Sequence, residues 1–128
     1  MSFKILASIA CGGAFGAVFR YLMMSGVGHN MQAGFPYATL VVNVLGSFVL
    51  GSLIEVLAIS WSTGQEMRGF LVVGVLGSFT TFSTFSLDAV YLIERGELTS
   101  AGAYIALSVI LSLIGVFAGM ILFRQILT

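Results

Sequence analysis

The run Gly77-Ser78-Phe79-Thr80-Thr81-Phe82-Ser83-Thr84-Phe85-Ser86 sets six hydroxyls and three phenylalanines on nine consecutive positions, from Ser78 to Ser86, inside an apolar segment. At membrane depth a hydroxyl without a partner costs free energy. One or two would bond back to the carbonyl four residues earlier and merely bend a helix. Six of them, beside Gly74 and Gly77, point to a helix broken near the midplane, because non-helical backbone survives there where it is buried or lines an ion site.

The neighbouring apolar segments carry polar residues at four-residue spacing: Thr39, Asn43 and Ser47 on one, Ser100, Tyr104, Ser108 and Ser112 on another. Such spacing keeps each set near one helix face, drifting about 40° per step, and the longer stripe covers about 18 Å. Interhelical hydrogen bonding explains stripes of this kind at about 0.6 kcal/mol per pair. Two stripes converging on a hydroxyl cluster also describe a polar path. Phe79, Phe82 and Phe85 recur every three residues and lie along one side of a helical segment, either as packing or as a lining. A ring has a negative face and a positive edge, so rings turned edge-on along a hydroxyl-lined path favour an anion without a full positive charge. A permeating anion must bind well enough to shed water and weakly enough to leave, which neutral donors satisfy better than a midplane Lys.

Arg20 and Asp88 are the charges inside apolar segments, and both sit near a segment end where snorkelling is cheap. Arg20 either snorkels or gives a vestibule a positive field that concentrates anions. Asp88 reads as a structural acceptor or mouth residue rather than a proton carrier. Glu55, Glu66, Glu94 and Glu97 read as interfacial or loop charges.

These residues need helices to hold them. With 59% hydrophobic and 8% charged residues and a mean hydropathy of +1.10, the 128-residue chain departs from soluble domains, which carry roughly 25% charged residues. A net charge of zero leaves no basic surface for nucleic acid. Cys11 alone forms no internal disulfide, and His29 alone builds no metal site. The expected fold is an all-α membrane protein, one domain of four spans at about 5–24, 37–59, 70–93 and 101–122, each long enough for a hydrocarbon core of about 30 Å. The first apolar run passes Cys11 without a cleavage site and reads as a retained helix. Glycines, proline and polar residues mark the first two connections, and Glu94 to Glu97 leave room only for a tight turn, which makes the third and fourth spans antiparallel neighbours. The sixteen glycines fit close helix packing, with Gly12, Gly13 and Gly16 on the first span, Gly46 and Gly51 on the second, and Gly115 and Gly119 on the fourth.

Three stretches, Gly12-Gly13-Ala14-Phe15-Gly16-Ala17-Val18-Phe19-Arg20-Tyr21, Thr39-Leu40-Val41-Val42-Asn43-Val44-Leu45-Gly46 and Gly77 to Ser86, strongly resemble the Fluc/CrcB fluoride channels. That resemblance implies a multi-pass protein of the inner (plasma) membrane, in contact with lipid, forming an antiparallel, dual-topology homodimer. It further implies two fluoride pores at the subunit interface, a buried structural sodium ion and no organic cofactor. Passive conduction would let cytoplasmic fluoride leave down its electrochemical gradient. Carried over position by position, Phe82, Phe85 and Asn43 match pore-lining residues, while Ser83, Thr84, Tyr104, Ser108 and Ser112 match or lie along the polar track. Arg20 matches a vestibule arginine, and Gly77 and Thr80 match the residues whose main-chain carbonyls hold the sodium. Two positions depart from the family pattern: Ser78, where Gly is common, and Asp88, where Glu is common.

Fluoride itself comes from this resemblance, since hydroxyls, an amide and ring edges suit a small anion or another polar solute. A small multidrug or guanidinium exporter would need a membrane-embedded Glu in the first span, which has none. A structural subunit of a larger membrane complex would use the same glycines and hydroxyls only to bind helices. An enzyme would need a His cluster, a Cys pair or an intramembrane Ser, His and acid set. Lys4, Arg68 and Arg124 would lie on one side of the membrane and Arg20 and Arg95 on the other, a three-to-two bias weak enough for insertion in both orientations.

Overall fold

Apolar runs separated by Gly, Pro and short polar stretches fold, in the computed structural model, into helices only; no strand occurs among the described residues. Residues 2–30 and 34–128 are described, His29 and Asn30 as backbone only. Part of the first connection (31–33), and the side chain of His29, a residue too isolated to build a metal site, lie outside the described residues. The elements are α1 (Phe3–Asn30), α2 (Tyr37–Ile59), α3 (Gln65–Arg68), a π-helical segment (Gly69–Leu76), α4 (Gly77–Phe79), α5 (Phe82–Glu94) and α6 (Leu98–Leu127). Four stretches are long and apolar enough to cross a membrane: Phe3–Gly28, Tyr37–Ile59, Gln65–Glu94 and Leu98–Leu127.

The first helix runs on past Met24, where its apolar run ends, to Asn30. Gly34, in the connection to α2, takes a φ of 116° that no side-chain-bearing residue adopts readily. At the other tight connection, Gly96 takes φ 78°, Glu97 N–H donates to the Leu92 carbonyl at 2.9 Å and Gly96 N–H to that of Ile93 at 3.0 Å. That bond pair closes α5 as a Schellman motif and lays α6 antiparallel beside it.

Glycines set the two long helix pairings. A Cβ on Gly51 of α2 would strike the Val116 carbonyl of α6, and one on Gly119 would strike the Phe48 carbonyl. Likewise, Cβ atoms on Gly12 and Gly16 of α1 would strike the Phe70 and Val75 carbonyls. Backbones this close gain dispersion contacts that larger residues would forbid, which is how helices associate where no hydrophobic drive separates protein from lipid. Leu40, Phe85, Ala89, Leu92, Ala101 and Tyr104 form the core that ties α2, α5 and α6 together. Glu55 is not a loop charge: it is 6% exposed on α2 and pairs with Arg124 of α6. Four helical residues beyond Gly51, it rides the face that already meets α6.

Candidate functional site

The third span breaks at Thr80 (ψ 156°) and Thr81 (φ −149°, ψ 118°), both extended, between α4 and α5. Gly74 and Gly77 stay helical, and Gly74 packs against Ile9 and Gly12 of α1; the break comes three residues after Gly77, among the hydroxyls. Thr81 is the N-cap of α5, its Oγ1 accepting from Thr84 N–H at 3.1 Å. From α2, Asn43 completes the arrangement: its Oδ1 accepts from Thr81 N–H at 2.7 Å and its Nδ2 donates to the Thr81 carbonyl at 3.0 Å. One amide side chain thus pairs with one peptide unit as a neighbouring β-strand would.

A consequence falls on two carbonyls. In a continuous helix the Gly77 carbonyl would take Thr81 N–H, and the Thr80 carbonyl would take Thr84 N–H. Asn43 has the first donor and the Thr81 hydroxyl has the second. Gly77 and Thr80 both line a cavity of about 300 Å³, together with Asn43, Ser47, Phe82 and Ser112. Gly46 makes room for it, since a Cβ there would collide with the Thr80 methyl. The donor set is oxygen only, which suits a hard cation.

Rings and hydroxyls lead away from this cavity. Phe82 is 78% exposed in the single chain, and its ring centroid lies 5.4 Å from that of buried Phe85. Phe85 in turn lies 5.3 Å from Tyr104, which is fully buried. The Tyr104 hydroxyl donates to Asp88 Oδ2 at 3.1 Å, and Thr39 Oγ1 donates to the same oxygen at 2.7 Å. Asp88 is therefore a structural acceptor joining α2, α5 and α6. One turn beyond Tyr104, Ser108 is buried and its Oγ has no hydrogen-bond partner among the described residues. Phe79 does not share the line of Phe82 and Phe85. The break falls between them, and its ring instead lies over Gly46 and borders an apolar cavity with Phe19 and Met23.

Arg20 belongs to a different hollow, of about 390 Å³, which it lines with Ala17, Tyr21 and Thr84. It makes no ion pair or hydrogen bond with a described residue. Thr84 links the two hollows: its Oγ1 accepts from Thr81 Oγ1 at 3.1 Å. Ser83 is exposed, with its Oγ 3.2 Å from Thr81 Oγ1. Thus Asn43, Gly77, Thr80, Phe82 and Ser112 meet at one cavity, Arg20 and Thr84 at another, and Phe85 and Tyr104 form a buried wall between α5 and α6. Sequence reasoning left out Thr81, the hub of the network, although Thr is a favoured N-cap residue for a helix that restarts after a break. It also missed that Thr39, Asp88 and Tyr104 act together.

The family model described as "CrcB-like protein, Camphor Resistance (CrcB)" matches residues 7–120. The chain belongs to the CrcB family. Several curated members of that family are close in sequence. A "Fluoride-specific ion channel FluC" of Rhodospirillum centenum is 50% identical over 121 residues, covering 94% of this chain and 96% of the relative. Proteins of the same name are 52% identical in Agrobacterium fabrum (94% and 97% covered) and 48% identical in Nitrobacter winogradskyi (98% and 100% covered). Near-complete coverage in both directions extends the likeness to all four apolar helices, and this CrcB-family chain is a multi-pass membrane protein.

Proposed function

We propose that this chain is a fluoride-specific ion channel that conducts passively. The observation that carries the reading is the Asn43–Thr81 break, which sets Phe82, the Gly77 and Thr80 carbonyls and hydroxyls at one cavity, in a protein whose curated relatives are named for fluoride conduction. Arg20, unpaired in its hollow, would draw the anion to a vestibule. Ring edges of Phe82 and Phe85 and the donors of Asn43, Ser83, Thr84, Tyr104, Ser108 and Ser112 would replace its water without a fixed positive charge that would trap it. One Asn43 N–H remains for an ion after the Thr81 bond, because a primary amide carries two. In proteoliposomes holding only this chain, fluoride efflux should exceed chloride efflux by orders of magnitude; equal rates would reject fluoride specificity.

The working unit in this reading is an antiparallel homodimer in the inner plasma membrane, one copy inserted in each orientation. Phe82, at 78% exposure beside the cavity that Asn43 and Thr80 line, supports a second copy there. Reporters fused to the C-terminus should give signal from both sides of the membrane, and signal from one side alone would contradict dual insertion.

Sodium is the proposed structural ion, held by the main-chain carbonyls of Gly77 and Thr80. Their diverted helical donors support this, and two copies would supply four such oxygens. Bound there, the cation would offset the dipoles of carbonyls whose usual helical donors bond elsewhere. Density between the two subunits at these carbonyls is expected in an experimental map of the dimer; empty space between them would overturn the sodium assignment.

A further inference from the structure

The segment entering the break is π-helical over eight residues, Gly69–Leu76, and closes with Gly77 N–H on the Val72 carbonyl, five residues back. Its contacts with α1 have the same spacing. Gly69 and Gly74 face Ile9 and Gly12, while the Phe70 and Val75 carbonyls press on Gly12 and Gly16. In an α-helix, residues five apart point about 140° away from each other. An i→i+5 helix turns less per residue, which cuts that angle to roughly half and brings the two onto one side. So the π turn lets two carbonyls five residues apart meet two α1 glycines four residues apart.

The turn after this segment inherits its phase. Leu76 accepts from both Thr80 N–H and Thr80 Oγ1, at 3.2 and 3.1 Å, so Gly77 to Thr80 form a rigid turn on its end. Were residues 69–76 α-helical with the same number of residues, that turn would emerge rotated by about 100°, one residue's worth. Thr81 would then point away from Asn43.

We infer that Gly12 and Gly16 of α1 are positioning residues for the ion site, holding the π turn that aims Gly77, Thr80 and Thr81 at Asn43. The inference rests on the proposed channel function. Neither glycine touches the ion path; both act through the Phe70 and Val75 carbonyls.

The test uses the full-length chain and the variant Gly16→Ala, with Gly28→Ala on the same helix as control because a Cβ there meets nothing within 4 Å. Fluoride efflux should fall about tenfold or more in Gly16→Ala, since α1 can no longer approach so closely, and stay within about twofold in Gly28→Ala. Rescue separates positioning from damage. Val73 is 54% exposed, and deleting it removes one residue, the number that the π turn holds in excess of an α-helix. In the Gly16→Ala background, that deletion should withdraw the Val75 carbonyl, restore the phase of Thr81 and return efflux to within about threefold of wild type. A second readout does not need conduction. Thr81 N–H should exchange with deuterium about tenfold faster in Gly16→Ala and recover its protection with the deletion. Wild-type behaviour of Gly16→Ala in both readouts, or a double variant that fails to recover, overturns the inference. Absence of fluoride efflux in the wild type would instead fell the channel reading and leave amide exchange to decide this one.

Discussion

Replacing Phe82 with Ile is expected to cut fluoride efflux by about tenfold or more, equivalent to about 1.4 kcal/mol in the barrier, with only a small loss of thermal stability. The ring is 78% exposed in the single chain, so its loss removes little intramolecular packing. The substitution instead takes away an electropositive edge beside the cavity lined by Asn43, Gly77 and Thr80. Phe85→Ile should reduce efflux as strongly but by a mixed route. Phe85 is buried between Phe82 and Tyr104, at 5.4 and 5.3 Å, and each ring contact contributes about 0.5–1.5 kcal/mol beyond its area. Stability should therefore fall more at Phe85, which loses two ring contacts and a buried ring, than at Phe82, which loses one contact. Paired electrode and thermal-unfolding measurements check both; unchanged efflux in the two variants would make the rings packing residues.

Asn43 carries the second large effect. Asn43→Ala deletes both bonds to Thr81 and leaves its N–H free to close the helix on the Gly77 carbonyl. The site then loses its shape, and efflux should drop below detection. Leaving a buried donor or acceptor unpaired costs about 1–3 kcal/mol, so unfolding should also come earlier. Asn43→Asp divides the two roles. It keeps an acceptor for Thr81 N–H and so much of the fold, but it removes the donor and adds a negative charge on the anion's path. Efflux should be lost in Asn43→Asp, and unfolding should come earlier by the cost of the Thr81 carbonyl losing its donor. Conduction through the Asp variant would remove Asn43 from the path and leave it only a structural role.

Much of this site is legible in sequence because membrane depth makes polar residues costly. The run from Ser78 to Ser86 could not lie in hydrocarbon as a plain helix, and the third span breaks at Thr80 and Thr81 within it. Of the stripes at four-residue spacing, Asn43, Ser47 and Ser112 line this cavity, while Tyr104 and Ser108 are buried elsewhere on α6. The features that stayed hidden depend on distances between helices. Spacing alone set Phe79 beside Phe82, because it presumes a continuous helix. Sequence leaves Asp88 as a structural acceptor or a mouth residue, and only the approach of Thr39 and Tyr104 to 2.7 and 3.1 Å decides for the acceptor and names its donors. Glu55 looked interfacial because its partner, Arg124, is 69 residues away in the chain. The π segment left no trace in hydrophobicity: Gly69-Phe70-Leu71-Val72-Val73-Gly74-Val75-Leu76 is apolar throughout, so no period can be read from it.

Conduction itself is tested most directly by loading purified full-length chain into liposomes with potassium fluoride inside and following fluoride outside with a selective electrode, with and without a potassium ionophore. A passive channel moves one uncompensated charge per ion, so efflux should be nearly absent until the ionophore balances charge and should then run rapidly with no pH gradient. Rapid efflux without the ionophore, or efflux that needs a proton gradient, would contradict the account and require a coupled carrier.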